Sequence, residues 1–142
     1  MPYRRILVPV DGSELTPRAI EASVALAQQL RATIVGFIAG PPAQAAAAGS
    51  PGLDEDERLT ASQAQPVLAR FGAAAQAAGV PFEGAIDPLP HVHRAIIAAA
   101  ESHACDLIVM VTHGRGAFGE FLFGSQTKAV LAGSRLPLLI LH

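Results

Sequence analysis

Four short segments dominated by branched apolar residues, Ile6–Val10, Thr33–Ile38, Asp106–Val111 and Leu136–Leu141, constrain this chain more than any other feature. Each is too short for a stable helix, and within them apolar residues run nearly continuously instead of alternating with polar ones. That is the pattern of a strand covered on both faces. A weaker strand pattern lies at Phe82–Ile86. Strands of this kind need helices above and below the sheet, and the intervening segments supply them.

After the first run, Asp11-Gly12-Ser13 makes a turn, and Ala19, Ile20, Ser23, Val24, Ala27 and Leu30 then fall on one helical face. Ser13 or Thr16 is available as the cap, and Pro17 is tolerable in a first turn. Gly40, Pro41 and Pro42 end the second strand, completing a strand–helix–strand unit. A second helix is expected from about Glu55 to Ala78, with Leu59, Val67, Phe71, Ala74 and Ala78 in phase, Gln63 interrupting the stripe, Pro66 kinking or restarting the helix and Gly79 closing it. Asp87-Pro88-Leu89-Pro90 reads as a turn, His91–Ser102 as a helix carrying Val92, Ala95, Ile96 and Ala99 on one face, and Ser125–Ala132 as the last helix.

The alternation predicts one α/β domain over residues 1–142, a doubly wound, mainly parallel five-stranded sheet of the Rossmann-like or flavodoxin-like kind. Residues 40–53 carry prolines, glycines and an alanine run and are expected to form a mobile loop. In doubly wound sheets ligands bind beyond the carboxyl ends of the strands, where strand order reverses. That directs attention to Asp11 and to Val111–His113.

Composition narrows the partners. The net charge is −2 with scattered basic residues, and only 5% of residues are aromatic, so neither a polyanion footprint nor a base-stacking platform is expected. Nucleic acid and membrane surfaces are therefore not expected as partners. Cys105 is the only cysteine, which excludes an internal disulfide and a multi-cysteine zinc site and suits a reducing cytoplasm. At the start, Arg4 and Arg5 are followed by only Ile6–Val10 before Asp11, which does not fit a signal peptide, and no run of about eighteen apolar residues occurs. A cytoplasmic location is the expectation.

The chemistry-bearing segment runs Thr112-His113-Gly114-Arg115-Gly116-Ala117-Phe118-Gly119-Glu120-Phe121-Leu122-Phe123-Gly124-Ser125, and Gln126 and Thr127 lead on into the last helix. Glycine permits positive φ and close backbone approach, and the unpaired N–H groups of a first helical turn attract anions. Gly124, Ser125, Gln126 and Thr127 could thus hold phosphate oxygens, with Arg115 adding a charge-assisted contact and the hydroxyls serving phosphate or magnesium. The same residues read equally as a flexible loop before an ordinary capped helix. The segment lacks the Gly-Lys-Ser/Thr of a Walker loop.

Pro9-Val10-Asp11-Gly12-Ser13 at the end of the first strand, together with Gly114, nine residues and Gly124-Ser125, resembles the universal stress protein family over nearly the whole chain. The resemblance implies an adenine-nucleotide site for ATP, with or without magnesium. Pro9, Val10 and Asp11 would lie by the adenosine, Ile38 would wall the base, and Met110 and Val111 would line the end of the fourth strand. Gly114, Arg115, Gly124, Ser125, Gln126 and Thr127 would face phosphates. The family's ATP binders have glycine where this chain has Val111, whose branched side chain would narrow the sugar site.

Two readings therefore stand: a cytoplasmic stress-response protein holding an adenine nucleotide as a regulatory ligand, with at most slow incidental hydrolysis, and a nucleotide-independent dimeric interaction module whose pocket Val111 alters. An α/β enzyme ranks below both, for no Gly-x-Ser-x-Gly elbow is present. The last strand should lie at a sheet edge and could pair with a second copy, and the resemblance also implies a homodimer through Leu136–Leu141.

Other residues read more plainly. His91 and His93, two apart at a helix start, point to different faces unless the turn is still extended, and read as solvated. His113 sits in the glycine segment as either a phosphate contact or a packing residue. Cys105 reads as a small core filler. Phe118, Phe121 and Phe123 could form a lid, a partner surface or a core anchor.

Overall fold

The computed structural model describes residues 3–40, 60–87, 91–111 and 125–141. The glycine segment 112–124, with Gly114, Arg115, Gly124, His113 and the three phenylalanines, lies outside the described residues. So do most of the 40–53 loop, the 88–90 part of the turn after Asp87, and the side chains of Ser125 and Gln126.

Strands and helices alternate: β1 Arg5–Pro9, α1 Thr16–Leu30, β2 Thr33–Ala39, α2 Ala61–Ala77, β3 Phe82–Asp87, α3 Val92–Ser102, β4 Leu107–Val111, α4 Ser125–Gly133 and β5 Leu138–Leu141. The sheet has five strands in the order β3-β2-β1-β4-β5, and every neighbouring pair is parallel. The chain steps outward from β1 to β3, returns to the other side of β1 as β4, and steps outward again to β5. Strand order thus reverses between β1 and β4. β5 occupies an edge, as expected of it.

Because right-handed crossovers in opposite directions put their helices on opposite faces, the sheet is covered on both sides. Ile6, Val8, Ile34, Ile38 and Val109 are buried against α1 and α2, while Leu7, Val35, Phe37, Ile108 and Met110 are buried against α3 and α4. Successive side chains along a strand point to opposite faces, so a strand with two covers must be apolar at every position. This is why these segments lack alternation.

Helix ends follow local rules. Arg31, Gly79 and Ala104 take positive φ, at 57°, 72° and 53°. In each case the next residue's N–H reaches back to a carbonyl of the final turn, as Ala32 to Ala27, Val80 to Ala75 and Cys105 to Ala100, at 2.8–2.9 Å. This closes the orphan carbonyls.

Two expectations about helix starts are corrected. α2 begins at Ala61, not Glu55: Thr60 is extended, its side chain accepts from the Gln63 N–H, and Gln63 reaches back to the Thr60 N–H at 2.9 Å. Gln63 is therefore the reciprocal half of a capping box, and the helix continues through Pro66. α1 has no side-chain cap: its N-cap is Leu15, Ser13 Oγ accepts from the Leu15 N–H at 3.3 Å, and Thr16 is already helical.

Phe82 fixes where α2 crosses β2 and β3. Its ring stacks obliquely on Phe71, centroids 5.0 Å apart, and lies in a slot left by two glycines. A Cβ on Gly36 would come within 2.7 Å of the Phe82 ring and 3.1 Å of Phe71, and one on Gly72 within 3.2 Å of Phe82. With glycine on both sides the ring has no direction of escape except outward. We expect Gly36→Ala to destabilise the fold by about 1–3 kcal/mol through overpacking, read as a lower urea midpoint. An unchanged midpoint would show that Phe82 swings free at no cost.

Candidate functional site

β1 and β4 are joined at their amino ends and part toward their carboxyl ends. At the amino end, the Asp106 carboxylate accepts from the Arg4 N–H at 2.9 and 3.2 Å and from the Arg5 N–H at 3.1 Å, and the Asp106 N–H donates to Arg5 O at 2.9 Å. Ile6 then pairs with Leu107 and Leu7 with Ile108, and the pairing stops there. On its other side β1 pairs with β2 through all five residues, Arg5 to Pro9.

The sequence explains the stop. Val10 donates its N–H to Phe37 O on β2 at 2.8 Å. Alternate residues of a parallel strand donate to opposite neighbours, so Leu7 and residue 9 face β4. Residue 9 is proline, which has no N–H, so the bond that this residue would donate to β4 cannot form. Beyond it, β4 pairs only outward, Met110 with Ile140 and Val111 with Leu141. The reversal of strand order and Pro9 together open the sheet between the ends of β1 and β4.

The turn after β1 stands at this opening. Asp11 is exposed, and its Oδ1 accepts from the Ser13 N–H at 2.9 Å, while Gly12 takes φ 76°. Both features belong to an Asx turn, which holds the carboxylate at the mouth of the opening. Thr16 follows at the first position of α1, 1% exposed, and its Oγ1 has no hydrogen-bond partner among the described residues. Sequence reading listed Thr16 only as a cap, and no sequence signal marks it as an orphan.

On the other side of the opening, β4 ends in Met110 and Val111, and α4 begins at Ser125. Met110 is buried against the α3–α4 side and Val111 packs, half-buried, against the α1–α2 cluster. Thr127, in the first turn of α4, is 4% exposed. Val10 at 7% and Ile38 at 1% belong to the same core as Ile6. Pro9, Val10, Asp11, Ile38, Met110, Val111 and the first turn of α4 therefore share the carboxyl rim of the sheet. Of them, Asp11 presents an exposed side chain, whereas Val10, Ile38 and Met110 are largely inside.

The opposite rim holds a different cluster. Arg5 Nε donates to His103 O at 2.8 Å, and its Nη2 pairs with Glu83 Oε2, tying β1 to β3 and to the end of α3. Cys105 lies beside it, 6% exposed. Burial pushes its thiol up to about 11, opposed by Arg5 and aided by Asp106 and Glu83. This matches the core-filler reading and places the thiol at the far end of β4 from the opening. An open groove of about 700 Å³ between α2 and the start of β3, lined by Gly72, Ala73, Val80 and Phe82 among others, is also on this rim. Among the described residues, no three His, Cys, Asp or Glu side chains converge as a metal site, and no helix is long and apolar enough to cross a membrane.

A parallel sheet covered on both faces and parted at its point of strand reversal defines a doubly wound α/β protein with a rim site at β1 and β4. The model of the universal stress protein family matches residues 2–142, and the chain belongs to that family. It is 33% identical over 140 residues to the universal stress protein in the QAH/OAS sulfhydrylase 3′ region of Thermus aquaticus, covering 99% of each. Its fold matches a universal stress protein from Archaeoglobus fulgidus solved in complex with dAMP, with a TM-score of 0.72, 16% identity and full coverage of both chains. It also matches a universal stress protein solved in complex with cAMP, with a TM-score of 0.71, 22% identity and coverage of 100% of this chain and 98% of that one.

The Cys105 environment makes a pH prediction. The thiol stays protonated in the folded chain up to about 11, whereas the unfolded thiol ionises around 9.0. The unfolded state therefore binds fewer protons between these values, and stability declines as pH rises through that window. Cys105→Ala should flatten this part of a Tm-against-pH profile. A parallel decline in wild type and variant would mean that Cys105 does not contribute.

Proposed function

We propose that this universal stress protein holds an adenine nucleotide as a regulatory ligand at the carboxyl rim between β1 and β4. The observation that carries the reading is the stop in the β1–β4 ladder at Pro9, which leaves two strand ends, the Asp11 turn and the first turn of α4 around one opening. Asp11 would meet the ribose hydroxyls, the Val10 and Met110 backbones would flank the base with Ile38 beneath, and Gly114, Arg115, Gly124, Ser125, Gln126 and Thr127 would take the phosphates. The dAMP and cAMP complexes of similarly folded proteins support an adenine nucleotide. ATP, with or without magnesium, is the nucleotide we assign. The reading gives no residue a catalytic role, because a ligand that reports nucleotide level needs no turnover.

Val111 packs its side chain against the α1–α2 cluster, away from the α3–α4 side. That cluster also holds Val10 and Ile38, so on the nucleotide reading the opening accommodates the valine beside the ligand. Titration calorimetry should show saturable ATP binding in the micromolar to submillimolar range, weakened by a bulky replacement of Gly124. Val111→Gly should change the affinity by less than about threefold. No heat at millimolar ATP, or binding that appears only in Val111→Gly, would overturn this reading and favour the nucleotide-independent module.

We further assign a cytoplasmic homodimer formed through β5. This strand is a sheet edge whose four residues, Leu138–Leu141, are all apolar and half-buried, and the preceding α4 exposes Leu131 at 56%. An apolar edge with unpaired backbone groups invites a second strand. Sedimentation equilibrium should give a dimer, shifted toward monomer by Ile140→Lys. A wild-type monomer at high concentration would rule the pairing out.

A further inference from the structure

His91 and His93 flank the point where the chain passes from β3 into α3. In a regular helix, residues two apart point to different faces, which is why sequence spacing separates them. His91, however, is the residue before the helix, with φ −116° and ψ 131°, extended, and its side chain makes no capping hydrogen bond. The extended residue breaks the helical phase and brings the two imidazoles together, with ring centroids 5.8 Å apart and ring planes tilted by 32°.

That separation has a chemical meaning. An ion bound at about 2.0–2.1 Å from an imidazole nitrogen lies roughly 3.2 Å from the ring centre, so two rings on one ion have centroids about 5–6.4 Å apart. The observed pair falls inside this interval. Neither ring is committed to a hydrogen bond or ion pair among the described residues. His91 is exposed and His93 half-buried, so solvent reaches both.

We propose that His91 and His93 form a two-imidazole site for a late first-row divalent cation, zinc, nickel or copper(II), with water completing its coordination. Imidazole nitrogen selects these ions over magnesium and calcium, which take oxygen ligands. No third described side chain joins the pair, so the ion keeps open positions and exchanges readily. The pair stands where α3 begins, between β3 and β4 in the chain, and includes none of the residues assigned to the β1–β4 opening. It does not depend on nucleotide binding.

The test uses the full chain without an affinity tag, stripped with chelator and free of nucleotide. Titration with Ni²⁺ should show one ion per chain, weakened about tenfold or more in either His91→Ala or His93→Ala and lost in the double variant. His103→Ala, at the other end of α3, should keep wild-type affinity. The Cu²⁺ electron paramagnetic resonance spectrum should show two coordinating nitrogens in the wild type and one in each single variant. Circular dichroism should show that the variants stay folded. Absence of saturable binding, or unchanged affinity in the folded double variant, overturns the proposal.

Discussion

The rest of the structure depends on how β1 pairs with its two neighbours. It is the central strand, bound along its whole length to β2 and only at its amino end to β4. Asp106 clasps that end through the Arg4 and Arg5 amides, and Pro9 releases the other. A central strand cannot lose pairing at random, since an unpaired buried amide is costly. Proline removes β1's own donor at the position where the ladder stops, so β1 leaves no N–H facing the gap. The position of the candidate site is thus a consequence of backbone hydrogen bonding.

The two cores hold this arrangement rigid. Because β1 and β4 contribute to both, any shift of one strand against the other disturbs packing on both faces at once. Phe82, wedged between Gly36 and Gly72, fixes the outer half of the sheet in the same way. On the amino rim, Arg5 links β1, β3 and the end of α3. The carboxyl rim carries the exposed Asp11 carboxylate and the buried Thr16 hydroxyl, which has no hydrogen-bond partner among the described residues.

Much of this was legible in the sequence, for identifiable reasons. Strands buried on both faces announce themselves as unbroken branched runs, so four strands and the doubly wound class could be read from Ile6–Val10 and its counterparts, while β3, with Glu83 exposed at a sheet edge, showed a weaker pattern. The motif residues at the ends of β1 and β4 followed from the same strands. Helix starts were less readable, because polar residues there serve the backbone: Gln63 looked like a break in an apolar stripe and is half of a capping box. The His91–His93 approach is the exception that the sequence left open, for it depends on whether His91 is extended or helical, which the spacing does not decide. The Asp106 clasp joins residues about a hundred positions apart in sequence, and no local pattern reports such a contact.

The central claim is that the parted ends of β1 and β4 form the ligand site. The most direct measurement is a titration of the ¹⁵N-labelled chain with ATP, following amide chemical shifts residue by residue. The account predicts saturable shifts concentrated at Val10, Asp11, Met110, Val111 and Thr127, with Arg31, Gly79 and Ala104 on the opposite rim unmoved. Saturable shifts centred on that opposite rim, or none at millimolar nucleotide, would contradict it.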